Sequence, residues 1–142
     1  MFDIFDKNKK EVSQDNNLYI NIGALLIHVA KIDENYSEKE KEIIKKTLLE
    51  LGLSNDNFEN IFKKSEEVEK NSNQILEFTK EVKNKDEDFK VKIVEALWKI
   101  IYADKVSDIY ETSLMRRLTG LIYLDSKIAG DIKEKIKNSF NK

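Results

Sequence analysis

Hydrophobic residues recur at three- and four-residue spacings along nearly the whole chain, the period of helices rather than strands. Leu18, Ile22, Leu25, Leu26, Val29 and Ile32 predict a first helix from about Asn17 to Ile32. Gly23, Ala24, Ile27 and Ala30 make its other sides small or apolar, as in a helix buried all round. Ser37-x-x-Glu40 is a capping box that opens a second helix carrying Ile43, Ile44, Thr47, Leu48 and Leu51 and stopping at Gly52. Ser54 caps a third, with Phe58, Ile61, Phe62 and Val68 inward. Residues 69–74 are polar and predict a link, and Ile75, Phe78, Thr79 and Val82 a short fourth helix. Asp86 or Glu87 starts a second buried helix through Phe89, Ile93, Val94, Leu97, Trp98, Ile100 and Ile101. Asp108-x-x-Glu111 opens the next, over Leu114, Met115, Leu118, Leu121 and Ile122, and Asp125 the last, over Ile128, Ile132, Ile136 and Phe140.

The second half of this series repeats the first. Asp33, Ser37 and Glu40 recur as Asp104, Asp108 and Glu111, 71 residues on, and the caps Ser54 and Asp125 keep the same offset. A constant offset over some fifty residues indicates internal duplication. The expectation is an all-α fold of about seven helices, in which residues 18–70 and 89–140 form two related three-helix halves joined by the short helix. Residues 1–16 read as a partly flexible N-terminal extension, with Phe2 and Phe5 on one side of any short helix there, and residues 17–142 as the helical domain.

Composition narrows the chemistry. A net charge of −2 provides no basic field for nucleic acid. The absence of cysteine excludes disulfides, thiolate catalysis and Cys-ligated zinc. The first residues, MFDIFDKNKK, lack the apolar core of a signal peptide, and the longest apolar stretch, Ile22 to Ala30, is too short to span a bilayer. The expected location is the cytoplasm, without direct membrane insertion. His28, the one histidine, reads as a core or rim residue, and Trp98 with Tyr102 as packing; Arg116 and Arg117 are the only arginines. No phosphate loop, nucleophile elbow or zinc-protease motif is present.

The remaining chemical candidates are the two acidic corners. Glu40 and Glu111 fall in the first turn of a helix, where the dipole favours negative charge. Asp33 and Asp104 fall at the C-terminal end of the preceding helix, where carbonyl oxygens face them and compensation is needed. That compensation is a set of loop amides or a basic side chain, either of which makes the corners structural, or a bound hard cation, Ca²⁺ or Mg²⁺, held by oxygen ligands. An EF-hand is excluded, because its sixth and twelfth places would hold Glu38 and Ile44, or Ile109 and Met115. An approximate two-fold axis would bring Asp33, Glu40, Asp104 and Glu111 together as one metal site.

Ala30-Lys31-Ile32-Asp33 with Ser37-x-x-Glu40, and the stretch from Ala96 to Asp104 with Asp108-x-x-Glu111, resemble the tellurite-resistance protein B (TerB) family, as do Leu51-Gly52-Leu53-Ser54 and Glu77-Phe78-Thr79. The resemblance spans about residues 18–140. It implies a helical domain whose corner acids cluster as a divalent-cation site, in cytoplasmic proteins tied to tellurite and other stress responses or to membrane-associated complexes. It implies no established enzymatic activity. The chain departs from the family at four positions. Glu34 and Lys105 stand where glycine usually follows the corner Asp, Ile32 breaks the usual Ala-Asp pair, and Tyr123 stands at the position equivalent to Gly52. Three functional readings follow: a non-enzymatic module binding a divalent cation and an unidentified protein partner; a pure interaction scaffold with metal-free corners; and a metal-dependent hydrolase, which would need a base beyond the ligand acids.

Overall fold

Helix α1 (Phe2–Ala30) is the longest element, and from Leu18 onward most of its residues are buried. Ile22, Leu25, Leu26 and Ile27 are at most 1% exposed, each contributing roughly 1.5–3 kcal/mol of burial. The computed structural model describes residues 2–32, 36–71, 75–103 and 109–140, with side chains from residue 16 onward except those of 75, 76, 109 and 110. Around α1 lie α2 (Glu38–Glu50), α3 (Asn55–Asn71), α4 (Ile75–Thr79) and α5 (Glu87–Ala103). A 3₁₀ turn at Val82–Asn84 leads into α5, which is followed by α6 (Ile109–Leu121) and α7 (Ser126–Phe140). Among the described residues there is no strand, so the fold is all-α as expected.

The boundaries differ from the sequence expectation in three places. The first helix begins at Phe2 instead of near residue 17, because the first sixteen residues contain no glycine or proline to stop it. Helix α3 runs on to Asn71, into the first residues of the stretch expected to be a link, and buries Glu69. The short fourth helix is split, with Val82 in the 3₁₀ turn.

The duplication is visible in the backbone. Helices α6 and α7 begin 71 residues after α2 and α3, and α1 packs on α3 as α5 packs on α7. Both middle helices end in the same Schellman turn. Gly52 N–H donates to the Leu49 carbonyl at 3.1 Å and Leu53 N–H to Leu48 at 3.0 Å. In the second half, Tyr123 N–H donates to Gly120 at 3.2 Å and Leu124 N–H to Thr119 at 3.0 Å. The turn requires a left-handed residue, and φ is +119° at Gly52 and +59° at Tyr123. Tyrosine at that angle is strained, and its side chain is 72% exposed, so packing returns little. Capping follows the sequence as well: Asp86 Oδ1 accepts from Phe89 N–H at 3.0 Å and Asp125 Oδ1 from Lys127 N–H at 2.8 Å.

The halves are not equally tight. A Cβ built on Gly23 would stand 2.3 Å from Ser65 Oγ and 2.9 Å from Ser65 Cβ, so α1 and α3 meet closely there. Ser65 is fully buried, and its hydroxyl donates to the Ile20 carbonyl at 3.0 Å. The matching positions on α5 and α7 are Val94 and Ile136, both buried.

Two outcomes follow. Tyr123→Gly relieves the turn and raises stability by about 0.5–1 kcal/mol, read from chemical denaturation. Gly23→Ala forces α1 off α3 and costs about 1–3 kcal/mol despite alanine's better helix propensity. A Gly23→Ala protein as stable as wild type would show that the two helices separate freely.

Candidate functional site

At the first corner, α1 ends, the chain turns, and Ser37 starts α2 in an extended conformation. Glu40, the third residue of α2, folds back over this start. Its Oε2 accepts from the Ser37 backbone N–H at 2.9 Å and also from the Ser37 hydroxyl. The carboxylate is 1% exposed, in the turn where the helix dipole favours it.

Beside it sits Tyr36, half-buried, with the Lys41 ammonium 5.4 Å from its ring centroid. The Tyr36 hydroxyl is buried and has no hydrogen-bond partner among the described atoms. Burial pushes the phenol pKa well above its ordinary value, and the negative charges of Glu66, Glu38, Glu69 and Glu40 push it further. Glu69, 9% exposed, comes from the end of α3 and ties it to the end of α1. Its Oε2 receives Lys31 Nζ at 2.9 Å, and its Oε1 lies 3.5 Å from His28 Nδ1. The His28 ring packs at 57° against Phe78, with centroids 6.4 Å apart, which places it at the rim of the core as expected.

At the second corner, Glu111 is the third residue of α6 and 4% exposed, matching Glu40. Asp33, Glu34, Asp104, Lys105 and Asp108 lie outside the described residues, so two of the four expected metal ligands are placed and two are not. Among the described residues no three Asp, Glu or His side chains are grouped to hold a metal ion. Tyr36, Glu66 and Glu69 belong to the first corner and were not singled out by sequence. The signal for Glu69 was available, since it continues the inward spacing Phe58, Ile61, Phe62, Ser65.

Residues 19–134 match the family model described as Tellurite resistance protein TerB. No curated protein and no solved structure matches the chain. No described helix is long and apolar enough to cross a membrane.

Tyr36→Phe tests the electrostatics of the corner. Removing an unpartnered buried hydroxyl is neutral or stabilising by up to about 1 kcal/mol near pH 7. Because the folded-state pKa is raised, the wild-type phenol's contribution is full below its unfolded value near 10 and is lost as pH rises beyond it. Urea titrations should therefore show the variant losing less stability than wild type above about pH 10. Parallel alkaline limbs would mean that Tyr36 ionises as it does in the unfolded chain.

Proposed function

The chain belongs to the TerB family of tellurite resistance proteins, and from that premise we propose that it is a non-enzymatic helical module binding a divalent cation at its acidic corners and a protein partner. The observation that carries the cation is the burial of Glu40 and Glu111 at one register position of the repeat, 1% and 4% exposed. The repeat places a second carboxylate, an aspartate, ahead of each, and several carboxylates gathered at one site repel unless a cation offsets them. The donor chemistry fits a hard cation. The corner acids offer oxygen alone, the chain has no cysteine, and His28 faces Glu69. Asp33, Glu40, Asp104 and Glu111 would hold Ca²⁺ or Mg²⁺, which would offset their mutual repulsion and fix the relation of the two halves. Glu66 and Glu69 add negative charge around Tyr36 in the first corner.

The chain has no thiol with which to reduce tellurite or hold it as a thiolate. The role proposed is scaffolding within a stress response, with the cation as structural or regulatory ligand and a protein complex, including one assembled at a membrane, as the partner. Hydrolysis would require a base beside the ion in addition to its ligands, and the corner chemistry is otherwise carboxylate.

One contact favours a second reading, in which the corners are structural and metal-free. Glu40 Oε2 is already engaged by Ser37, so at least this carboxylate has a stabilising task without an ion.

Thermal melting separates the two. Ca²⁺ or Mg²⁺ at about 100 times its dissociation constant should stabilise the fold by roughly 2.7 kcal/mol, a Tm rise of roughly 5–10 °C for this length. Asp33→Asn combined with Asp104→Asn should remove the rise. An identical Tm in millimolar Ca²⁺, millimolar Mg²⁺ and chelator would leave the metal-free scaffold as the function.

A further inference from the structure

The two halves differ most where α2 meets α3 and α6 meets α7. In the first half the seam is filled. Phe58 and Phe62 of α3 stack with centroids 5.2 Å apart and are 6% and 8% exposed. The Lys45 ammonium of α2 lies 5.3 Å from the Phe58 ring centroid. In the second half, 71 residues on, Phe58 is replaced by Ala129, Phe62 by Lys133, Leu48 by Thr119, and Lys45 by Arg116. Both rings are gone, and a cleft of about 240 Å³ opens between α6 and α7. Its floor is Trp98 of α5, which stands where the first half has Ile27.

The lining has a definite chemistry. Trp98, Met115 and Ala129 make an apolar slot, and Trp98 is held by stacking on Tyr102 at 5.5 Å. Arg116 of α6, exposed, and Lys133 of α7 line the space, and among the described residues no Asp or Glu does. The Lys133 ammonium lies 5.2 Å from the Trp98 ring centroid. Gly130 adds no bulk, since a Cβ there would meet nothing within 4 Å. A cavity of about 150 Å³ already accepts benzene, so the slot has room for one aromatic ring. A guanidinium and an ammonium among the lining side chains suit a carboxylate, the guanidinium through paired N–H donors.

We propose that the α6–α7 cleft binds a small aromatic carboxylate, its ring in the space that Phe58 fills in the first half and its carboxylate between Arg116 and Lys133. The two seams are then alternative uses of one architecture. One is closed by the chain's own phenylalanines, and the other is left open for a ring supplied from outside. The cleft is independent of the acidic corners, so its occupancy needs no cation.

Trp98 is the only tryptophan and reports directly on the site. The full-length protein is titrated with 3-phenylpropionate and, as the charge-reversed control, with 2-phenylethylamine, following Trp98 fluorescence. The carboxylate should give a saturable change in the millimolar range or below, and the amine none. Arg116→Gln and Lys133→Gln should each weaken binding by about 10-fold or more, the loss expected for one charge-assisted contact. Ala129→Phe restores the side chain of the first half and should abolish the response while Tm holds or rises. No saturable response in wild type would overturn the proposal, as would an equal response to the amine. It would fall equally if a folded Ala129→Phe protein titrated like wild type. Should Ala129→Phe fail to fold, the two charge variants decide, and unchanged affinity in both rejects the site.

Discussion

The fold is arranged around one helical segment with no polar side to give to water. From Ile22 to Ala30, α1 presents buried residues in every direction except at the half-buried His28. Such a helix is stable only if other elements enclose it, and α2, α3, α4 and α5 do so. The enclosure explains the small residues at its closest approach, Gly23 against Ser65, where two backbones come nearer than most side chains permit. It also explains why the second half repeats the arrangement. Helix α5 has a similar burial profile 71 residues later, from Ile93 to Ile101, with Glu95 and Lys99 half-buried, and requires α7 as α1 requires α3.

Duplication preserved backbone devices and released side chains. The two Schellman turns keep the same pair of hydrogen bonds although glycine has become tyrosine in the second, so the turn is held by its carbonyl partners and by the buried Leu53 and Leu124 that follow it. The capping glutamates keep their burial for a similar reason, since each sits in a first helical turn. The seams between the outer helices carry no such constraint. There the first half packs aromatic rings and the second places a lysine, an alanine and a threonine, exchanging core stability for a polar-mouthed cleft.

Charge in the first corner is balanced without being neutralised. Glu69 has Lys31 and faces His28, Glu40 has the Ser37 amide, and Tyr36 keeps its proton because burial and four glutamates oppose a further negative charge. The Glu69 pairs secure the end of α1 against the end of α3, and the Glu40 bonds close the start of α2.

Much of the architecture was legible from local physics alone. Seven helices, their caps at Ser37, Asp86 and Asp125, the stop at Gly52 and the 71-residue repeat follow from periodicity and from residues whose preference is set within one turn. Of the candidate acids, Glu40 and Glu111 are buried, in agreement with their positions in a first helical turn. The start of α1 was not legible, because polar residues without glycine or proline read equally well as strap or helix. Neither was the end of α3, where a glutamate becomes a core residue only because Lys31 and His28 meet it from another helix. Periodicity marks which side of a helix is inward, whereas packing selects which helix it faces. The tertiary structure therefore decided the partners of Glu69, the electrostatic enclosure of Tyr36, and the fact that Ala129 and Lys133 leave a cleft where Phe58 and Phe62 close one.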